Sequence, residues 1–217
     1  MINITRVNRE EALRYLGGAG VPDERMLALL DEAESQLLRA AKPKYLFRVV
    51  ALPCGRLVSG NDIAKHLDGC DRAAVLCATL GAEVDRLIRV SQISDMPRAV
   101  VLDAMASAMI EQVCCAVDGI LAEQMPDCYF TYRFSPGYGD YPIELQREFL
   151  RFLDAPRKIG LTVTESFLLT PAKSVTAVAG ISGEPVPRGR RGCAVCSLRD
   201  TCAYRRKGSH CGFQNLT

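Results

Sequence analysis

The sequence predicts an α+β fold: a single domain with a twisted, mainly antiparallel sheet and flanking helices, followed by a Cys-rich C-terminal appendage. Helical and strand-like segments are mixed along the chain without a regular alternation, which favours this class. The 217 residues, 48% of them hydrophobic, suffice for one core. From residue 182 onward, apolar periodicity gives way to Gly, Pro, Arg and Cys. We therefore assign a domain to 1–181 and the appendage to 182–217.

The first 80 residues contain both helical and strand-like patterns. Leucines spaced along 22–41 give that segment a broad apolar face, and Pro43 ends it. β-Branched and aromatic residues favour one strand, and an unbroken apolar run favours a second, buried strand. The predicted elements are helices at 9–16, 22–41 and 63–67 and strands at 45–52 and 73–80.

The second part of the chain predicts a long central helix and three further strands. Apolar residues three and four apart recur from Val101 to Ile120, so the helix at 96–124 is expected to lie in the core. Aromatic and β-branched runs predict the strands, and a Gly/Pro-rich loop at 135–142 separates one of them from the next helix. The predicted elements are helices at 82–93, 96–124 and 143–153 and strands at 128–134, 159–169 and 175–181.

The bulk composition excludes some functions. The formal net charge of +2 does not indicate a polyanion as the general partner, so we expect no nucleic-acid binding. We find no apolar run of the roughly 18–20 residues that span a bilayer, and the N-terminus lacks an apolar signal core. We therefore expect a cytoplasmic protein without a membrane partner.

The loop after residue 132 has an unusual composition. Arg133 offers a planar fork of five N–H donors that suits a carboxylate or phosphate. Two glycines allow positive φ and close approach of a ligand, while Tyr138 and Tyr141 offer flat faces and hydroxyls. The pattern is compatible with a ligand that carries an anionic group and a planar ring. A tight strand-to-helix turn with an arginine packed over it explains the same residues.

Two motifs give the loop a family context. The segment Arg133-x-Ser135-Pro136-Gly137-Tyr138 resembles the Arg-Pro-Ala-Pro-Gly-Tyr-Pro motif of the activation domain of cobalamin-dependent methionine synthase. The segments at 159–167 and 171–175 resemble that family's Ile-Gly-Met-x-Leu-Thr-Glu-Ser stretch and the Pro-x-x-Ser-Val that follows it. The motifs occur in the family's order, and the resemblance covers about 45–182.

The resemblance implies a reactivation component for a cobalamin-dependent methyltransferase, above all methionine synthase. In that family the domain caps the cobalamin-binding domain and presents S-adenosylmethionine, so that inactive cob(II)alamin is methylated with one electron from a reductant. The implied partners are methionine synthase or a related corrinoid protein, which carries the cobalamin, and a low-potential electron donor. The alternative is an iron–sulfur or zinc module that docks on a corrinoid protein without using S-adenosylmethionine.

The resemblance also implies roles for individual residues. Arg133 would bind the carboxylate of the ligand, and Gly137 would allow its close approach. Ser135 stands at a backbone contact, and Tyr138 would point toward the cofactor. Asp127 matches an acidic ligand-binding position by spacing alone. Three positions depart from the family motif: Phe134, Ser135 and Gly139.

The appendage carries four of the ten cysteines. In a reducing compartment such crowding favours metal or cluster ligation over disulfides. The irregular spacing favours a four-iron cluster, with zinc and unliganded thiols as alternatives, and His210 is a further candidate ligand. Seven basic residues surround the cysteines and form either a solvated surface or a dock for an acidic protein. The predicted ligands are Cys193, Cys196, Cys202 and Cys211. The six other cysteines are expected to be small buried hydrophobes.

Overall fold

The structure is a computed structural model that describes residues 2–17 and 22–186. Its six strands are β1 (Lys44–Ala51), β2 (Arg72–Thr79), β3 (Tyr129–Phe130), β4 (Thr162–Val163), β5 (Leu169–Thr170) and β6 (Ser174–Ser182). Its seven α-helices are α1 (Arg9–Tyr15), α2 (Glu24–Ala40), α3 (Asn61–His66), α4 (Ala82–Ser94), α5 (Met96–Gln124), α6 (Leu145–Leu153) and α7 (Ala155–Ile159). The predicted α+β class with an antiparallel sheet and flanking helices is confirmed.

The main sheet has four antiparallel strands in the order β1-β2-β6-β3. Strand β2 lies second and pairs along its whole length with β1 and β6. Its side chains alternate between the two faces, as the pleat requires. Ala74 and Leu76 join the cluster that includes Val117 of α5, whereas Val75 and Cys77 join the cluster around α6. The apolar run at 73–80 is therefore explained by a strand covered on both faces.

Helix α5 covers one face of this sheet and is the core of the helical layer. Helices α1, α2 and α4 pack against it. Among the described residues, α5 alone has the length and apolar composition to cross a membrane, but 61% of its most apolar stretch is buried inside the fold. Packing against the sheet and three helices explains that composition. The prediction of a central helix at 96–124 is confirmed.

Two predicted strands differ from the structure. The segment at 159–169 is not one strand, because α7 ends at Ile159 and a hairpin of β4 and β5 follows. The Thr164 hydroxyl accepts a hydrogen bond from Leu168 N at 3.0 Å, and Phe167 has a φ of 62°, so the chain reverses there. The segment at 128–134 is a strand only at β3 and then touches β6 once more through Phe134.

Candidate functional site

Arg133 lies beyond β3, and its guanidinium reaches α5. One terminal nitrogen donates to Asp118, and the other donates to Glu111 Oε2 at 3.0 Å. The two acids are seven residues apart, or about two turns, and so project from the same side of α5. The side chain of Arg133 is 8% exposed, against 39% for Glu111 and 45% for Asp118. Arg133 is therefore a buried cation held by two partly exposed carboxylates.

Electrostatics keep Arg133 charged. Burial lowers the pKa of a guanidinium because the cation loses its hydration. The carboxylate of Asp118, together with Cys114 and Glu111, outweighs that loss and raises the pKa of Arg133 above its ordinary value. The side chain is thus a permanent positive charge that depends on counter-charges for its place in the fold.

Lys173, in the second motif segment, contacts the same side of α5. Its Nζ lies 2.9 Å from Ser107 Oγ and 2.8 Å from Asp103 Oδ1, and its side chain is 14% exposed. The α5 partners of Lys173 and Arg133 follow helical spacing, so the two cations mark the ends of one polar row. We call this row the α5 stripe; it consists of Asp103, Ser107, Glu111 and Asp118.

The α5 stripe continues into a groove between α1 and the corner that joins α4 to α5. The groove has a volume of about 360 Å³ and includes Asp103 and Ser107 in its lining. Its other main lining residues are Tyr15, Met96 and Val100. Burial raises the pKa of Tyr15, and the carboxylates of Glu111 and Glu11 raise it further, which places the phenol near the stripe. A flat ring, apolar side chains and a polar row therefore share one surface.

The loop of the first motif is anchored on α3. The Asp140 carboxylate accepts hydrogen bonds from the backbone N–H of Asn61 at 2.7 Å and of Asp62 at 2.9 Å. It caps the helix from outside, because Gly60 at the N-cap has no side chain to do so. Gly60 has a φ of 127°, and a Cβ there would stand 2.7 Å from Asp140 Oδ1, so this contact requires glycine.

Two glycines shape the loop, as predicted. Gly137 has a φ of 95° and Gly139 a φ of 55°. A Cβ on Gly139 would lie 2.2 Å from Asp62 Oδ2, so this glycine allows the loop to approach α3. The Gly137 N–H donates to Tyr141 O at 2.8 Å and closes a tight turn. Whether Gly137 also admits a ligand remains a prediction.

The two loop tyrosines have different environments. Tyr141 is 1% exposed, donates its hydroxyl to Leu57 O, and has its ring centroid 6.0 Å from Phe134 and 6.3 Å from Phe149. Burial raises the pKa of Tyr141. The interpretation of Tyr141 as a ligand-facing ring is therefore wrong, because this ring belongs to the core. Tyr138 is 68% exposed and presents its face to solvent.

The remaining predicted site residues are Ser135 and Asp127. Ser135 is partly buried, and its carbonyl accepts a hydrogen bond from Tyr138 N at 3.3 Å. Asp127 is exposed in the turn that joins α5 to β3. The acids of the α5 stripe were not predicted from the sequence. Their signal was present, since polar side chains at 103, 107, 111 and 118 recur at helical spacing on an otherwise apolar helix.

The predicted metal or cluster site lies outside the part of the chain that the structure describes. Among residues 2–17 and 22–186, no group of three or more His, Cys, Asp or Glu side chains is arranged to hold a metal ion. The predicted ligands Cys193, Cys196, Cys202 and Cys211 lie outside the described residues. Of the six cysteines within them, Cys77 and Cys114 are buried, and burial raises the pKa of Cys77 to about 12. Cys115 is exposed, so the prediction of a buried thiol is wrong there.

Removal of both α5 acids should destabilise the fold more than removal of Arg133. The double substitution Glu111→Gln with Asp118→Asn leaves a buried cation unpaired, and we expect the free energy of unfolding to fall by about 2–4 kcal/mol. Arg133→Met removes that cation, and we expect a loss of about 1 kcal/mol. Urea unfolding measures both, with Glu123→Gln on the exposed side of α5 as control. A larger loss in Arg133→Met than in the double variant would contradict the counter-ion role.

The cap by Asp140 predicts an acid-sensitive contribution to stability. Hydrogen bonds from the backbone of Asp62 and Asn61 hold the pKa of Asp140 below its ordinary value of 3.8. A lowered folded-state pKa contributes stability that is complete above 3.8 and is lost as the pH falls through the folded value. We expect Asp140→Asn to show a shallower loss of stability below pH 3.8 than the unmodified chain, measured by urea unfolding at several pH values. Parallel curves for the two proteins would refute the assignment.

Comparison with known proteins supports the fold. No protein-family model matches the chain, and no curated protein matches its sequence. Among solved structures, the chain is similar to the MetH reactivation domain bound to AdoHcy, with a TM-score of 0.59 and 15% sequence identity. The alignment covers 94% of this chain and 82% of that one. At this identity the likeness shows a shared fold.

Proposed function

We propose that the protein is a reactivation component for a cobalamin-dependent methyltransferase, above all methionine synthase, and that it positions S-adenosylmethionine for reductive methylation of cob(II)alamin. The observation that carries the proposal is the α5 stripe, where cations from both motif segments meet acids of one helix. The shared fold supports it, because the similar structure is a reactivation domain that binds AdoHcy.

The charges of the stripe match those of the proposed ligand. S-Adenosylmethionine carries a carboxylate, an ammonium and a sulfonium. Arg133 has five N–H donors, and its hydrogen bonds to Asp118 and Glu111 do not use all of them. The remaining donors can bind the ligand carboxylate. Glu111 and Asp103 are partly exposed acids that attract the two cationic groups. Tyr15 in the adjoining groove is 44% exposed, with the Arg14 guanidinium 4.4 Å from its ring centroid, and would offer its other face to a planar ring.

The protein's own contribution to this reaction is positioning. A methyl group held at the right distance and angle from its acceptor reacts without a nucleophile or base from this chain. We propose that Tyr138, which is exposed on the docked loop that follows Arg133, lies beside the ligand where a corrinoid partner would approach. Ser135 and Gly137 would line the ligand through their backbone, and Asp127 would contribute an acid from the turn before β3.

The appendage is proposed to bind a four-iron cluster through Cys193, Cys196, Cys202 and Cys211, with zinc as the alternative. A cluster would pass one low-potential electron from a donor, and zinc would be structural. The last described residue, Val186, has Cγ1 3.3 Å from where a Cβ of Gly69 would stand. Gly69 follows α3, so the described part of the chain ends beside the turn after that helix. We propose that the protein acts in the cytoplasm.

A second function is an iron–sulfur or zinc module that docks on a corrinoid protein without using S-adenosylmethionine. The observation in its favour is the burial of Arg133, whose side chain is 8% exposed and already bonded to two acids. In this case the ion pairs serve only to join the segment after β3 to α5.

Calorimetric titration of S-adenosylmethionine into the full chain distinguishes the two functions. We expect saturable binding and at least a tenfold loss of affinity in Arg133→Met, because the ligand carboxylate loses its partner. Arg89→Met, an exposed arginine on α4, is the matched control and should bind normally. Failure of the unmodified protein to bind would leave the docking module as the function.

Iron content tests the proposed cluster. We expect anaerobically purified protein to be coloured and to contain about four irons per chain. Replacement of Cys193 and Cys196 by serine should remove the colour while the urea unfolding of the domain stays unchanged. Colourless protein with one zinc per chain would contradict the cluster.

A further inference from the structure

Helix α6 and the β4–β5 hairpin form a basic cleft on the face of the sheet opposite α5. Its floor is apolar and is formed by Leu150, Val163 and Pro156. The exposed guanidinium groups of Arg147 and Arg151, one helical turn apart, stand at its rim. We call this surface the α6 cleft. It does not touch the α5 stripe, because α6 packs on the side chains of β2 that point away from α5.

Within the described part of the chain, the arginines at the rim have no acidic partner. Among the described residues, neither Arg147 nor Arg151 has a carboxylate within the 4.0 Å distance of an ion pair. The Arg147 guanidinium instead lies 5.3 Å from the ring centroid of Phe167, the residue with positive φ in the hairpin turn. The ring restrains the guanidinium of a side chain that stays exposed. The second motif thus contacts an exposed cation that lacks a carboxylate partner among the described residues.

Other basic residues extend the charge around the cleft. Asp154, at the cleft, has its pKa lowered by Arg157 first and then by Lys158 and Arg48. Arg48 lies 5.3 Å from the ring centroid of Phe152 on the same helix. The nearby acids are Glu144 at the N-cap of α6 and Glu148 within it. Five basic side chains thus lie on or next to α6, and one of them, Arg157, is paired with Asp154.

This concentration contrasts with the rest of the domain. Residues 187–217 hold seven of the 27 basic and one of the 25 acidic residues, so residues 1–186 hold 20 basic and 24 acidic, a formal charge of −4. The basic surface at α6 is therefore a local feature of an acidic domain. A local charge of one sign attracts a partner surface of the opposite sign.

We propose that the α6 cleft binds an acidic segment of a partner protein. Carboxylates of that segment pair with Arg147 and Arg151, and one apolar side chain between them rests on Leu150, Val163 and Pro156. A protein segment suits this surface because it can reach both guanidinium groups and the apolar floor at once. Arginine at the edge of an apolar patch is also typical of protein interfaces.

A peptide titration tests the proposal. The probe is a fluorescein-labelled nonapeptide of glutamates with one central phenylalanine, and a matched glutamine peptide reports contacts that need no charge. Fluorescence anisotropy with the full chain at low salt should show binding of the acidic peptide that weakens as salt is added. The double substitution Arg147→Glu with Arg151→Glu should weaken it at least tenfold.

The control isolates the cleft from the other basic residues, including those of the appendage. Arg86→Glu with Arg89→Glu on α4 changes the net charge by the same amount and should alter the affinity less than about twofold. Equal losses in the two double variants would reduce the effect to net charge and overturn the proposal. Displacement of the labelled peptide by millimolar inorganic phosphate at constant ionic strength would assign the cleft to small anions and also overturn it. Neither outcome bears on S-adenosylmethionine binding at the α5 stripe.

Discussion

The buried charge of Arg133 is the constraint on which the candidate site depends. A guanidinium that is 8% exposed requires counter-charges, and α5 supplies them at Glu111 and Asp118. The segment after β3 is thereby tied to the central helix, and Lys173 ties the segment before β6 to the same helix. The two segments that resemble family motifs are distant in sequence but converge on one row of α5 side chains. The ion pairs that hold these two segments on α5 are also the contacts at which we propose that the ligand binds.

The sheet separates two surfaces with different chemistry. On one side, the α5 stripe combines acids with two held cations, which suits a ligand that carries both signs of charge. On the other side, the α6 cleft combines exposed arginines with an apolar floor. The loop that starts at Ser135 connects the two, because Asp140 fixes it on α3 and Tyr141 fixes it in the core around α6. The proposed ligand and the proposed partner segment would therefore lie on opposite sides of the sheet.

The sequence predicted the elements whose periodicity extends over many residues. Helix α5 and the buried strands β2 and β6 were identified because burial on one or both sides leaves a long apolar pattern. The β4–β5 hairpin was missed, because its strands have two residues each and its turn depends on the Thr164 hydroxyl. Arg133 and the loop glycines were recognised from residue chemistry. The α5 acids were not, because their helical spacing marks a polar row but does not reveal the cations, distant in sequence, that pair with it. Tyr141 was misjudged because an exposed and a buried tyrosine look alike in a loop.

The most direct test of the central claim is methyl transfer to a corrinoid partner. The protein would be mixed anaerobically with a cob(II)alamin-loaded methionine synthase that lacks its own activation domain, with S-adenosylmethionine carrying a ¹³C-labelled methyl group, and with a chemical reductant. The account predicts loss of the cob(II)alamin EPR signal together with labelled methylcobalamin, and neither change when Arg133→Met replaces the unmodified protein. The proposal would be contradicted if the unmodified protein bound S-adenosylmethionine and the methionine synthase, yet the EPR signal persisted and no labelled methylcobalamin formed.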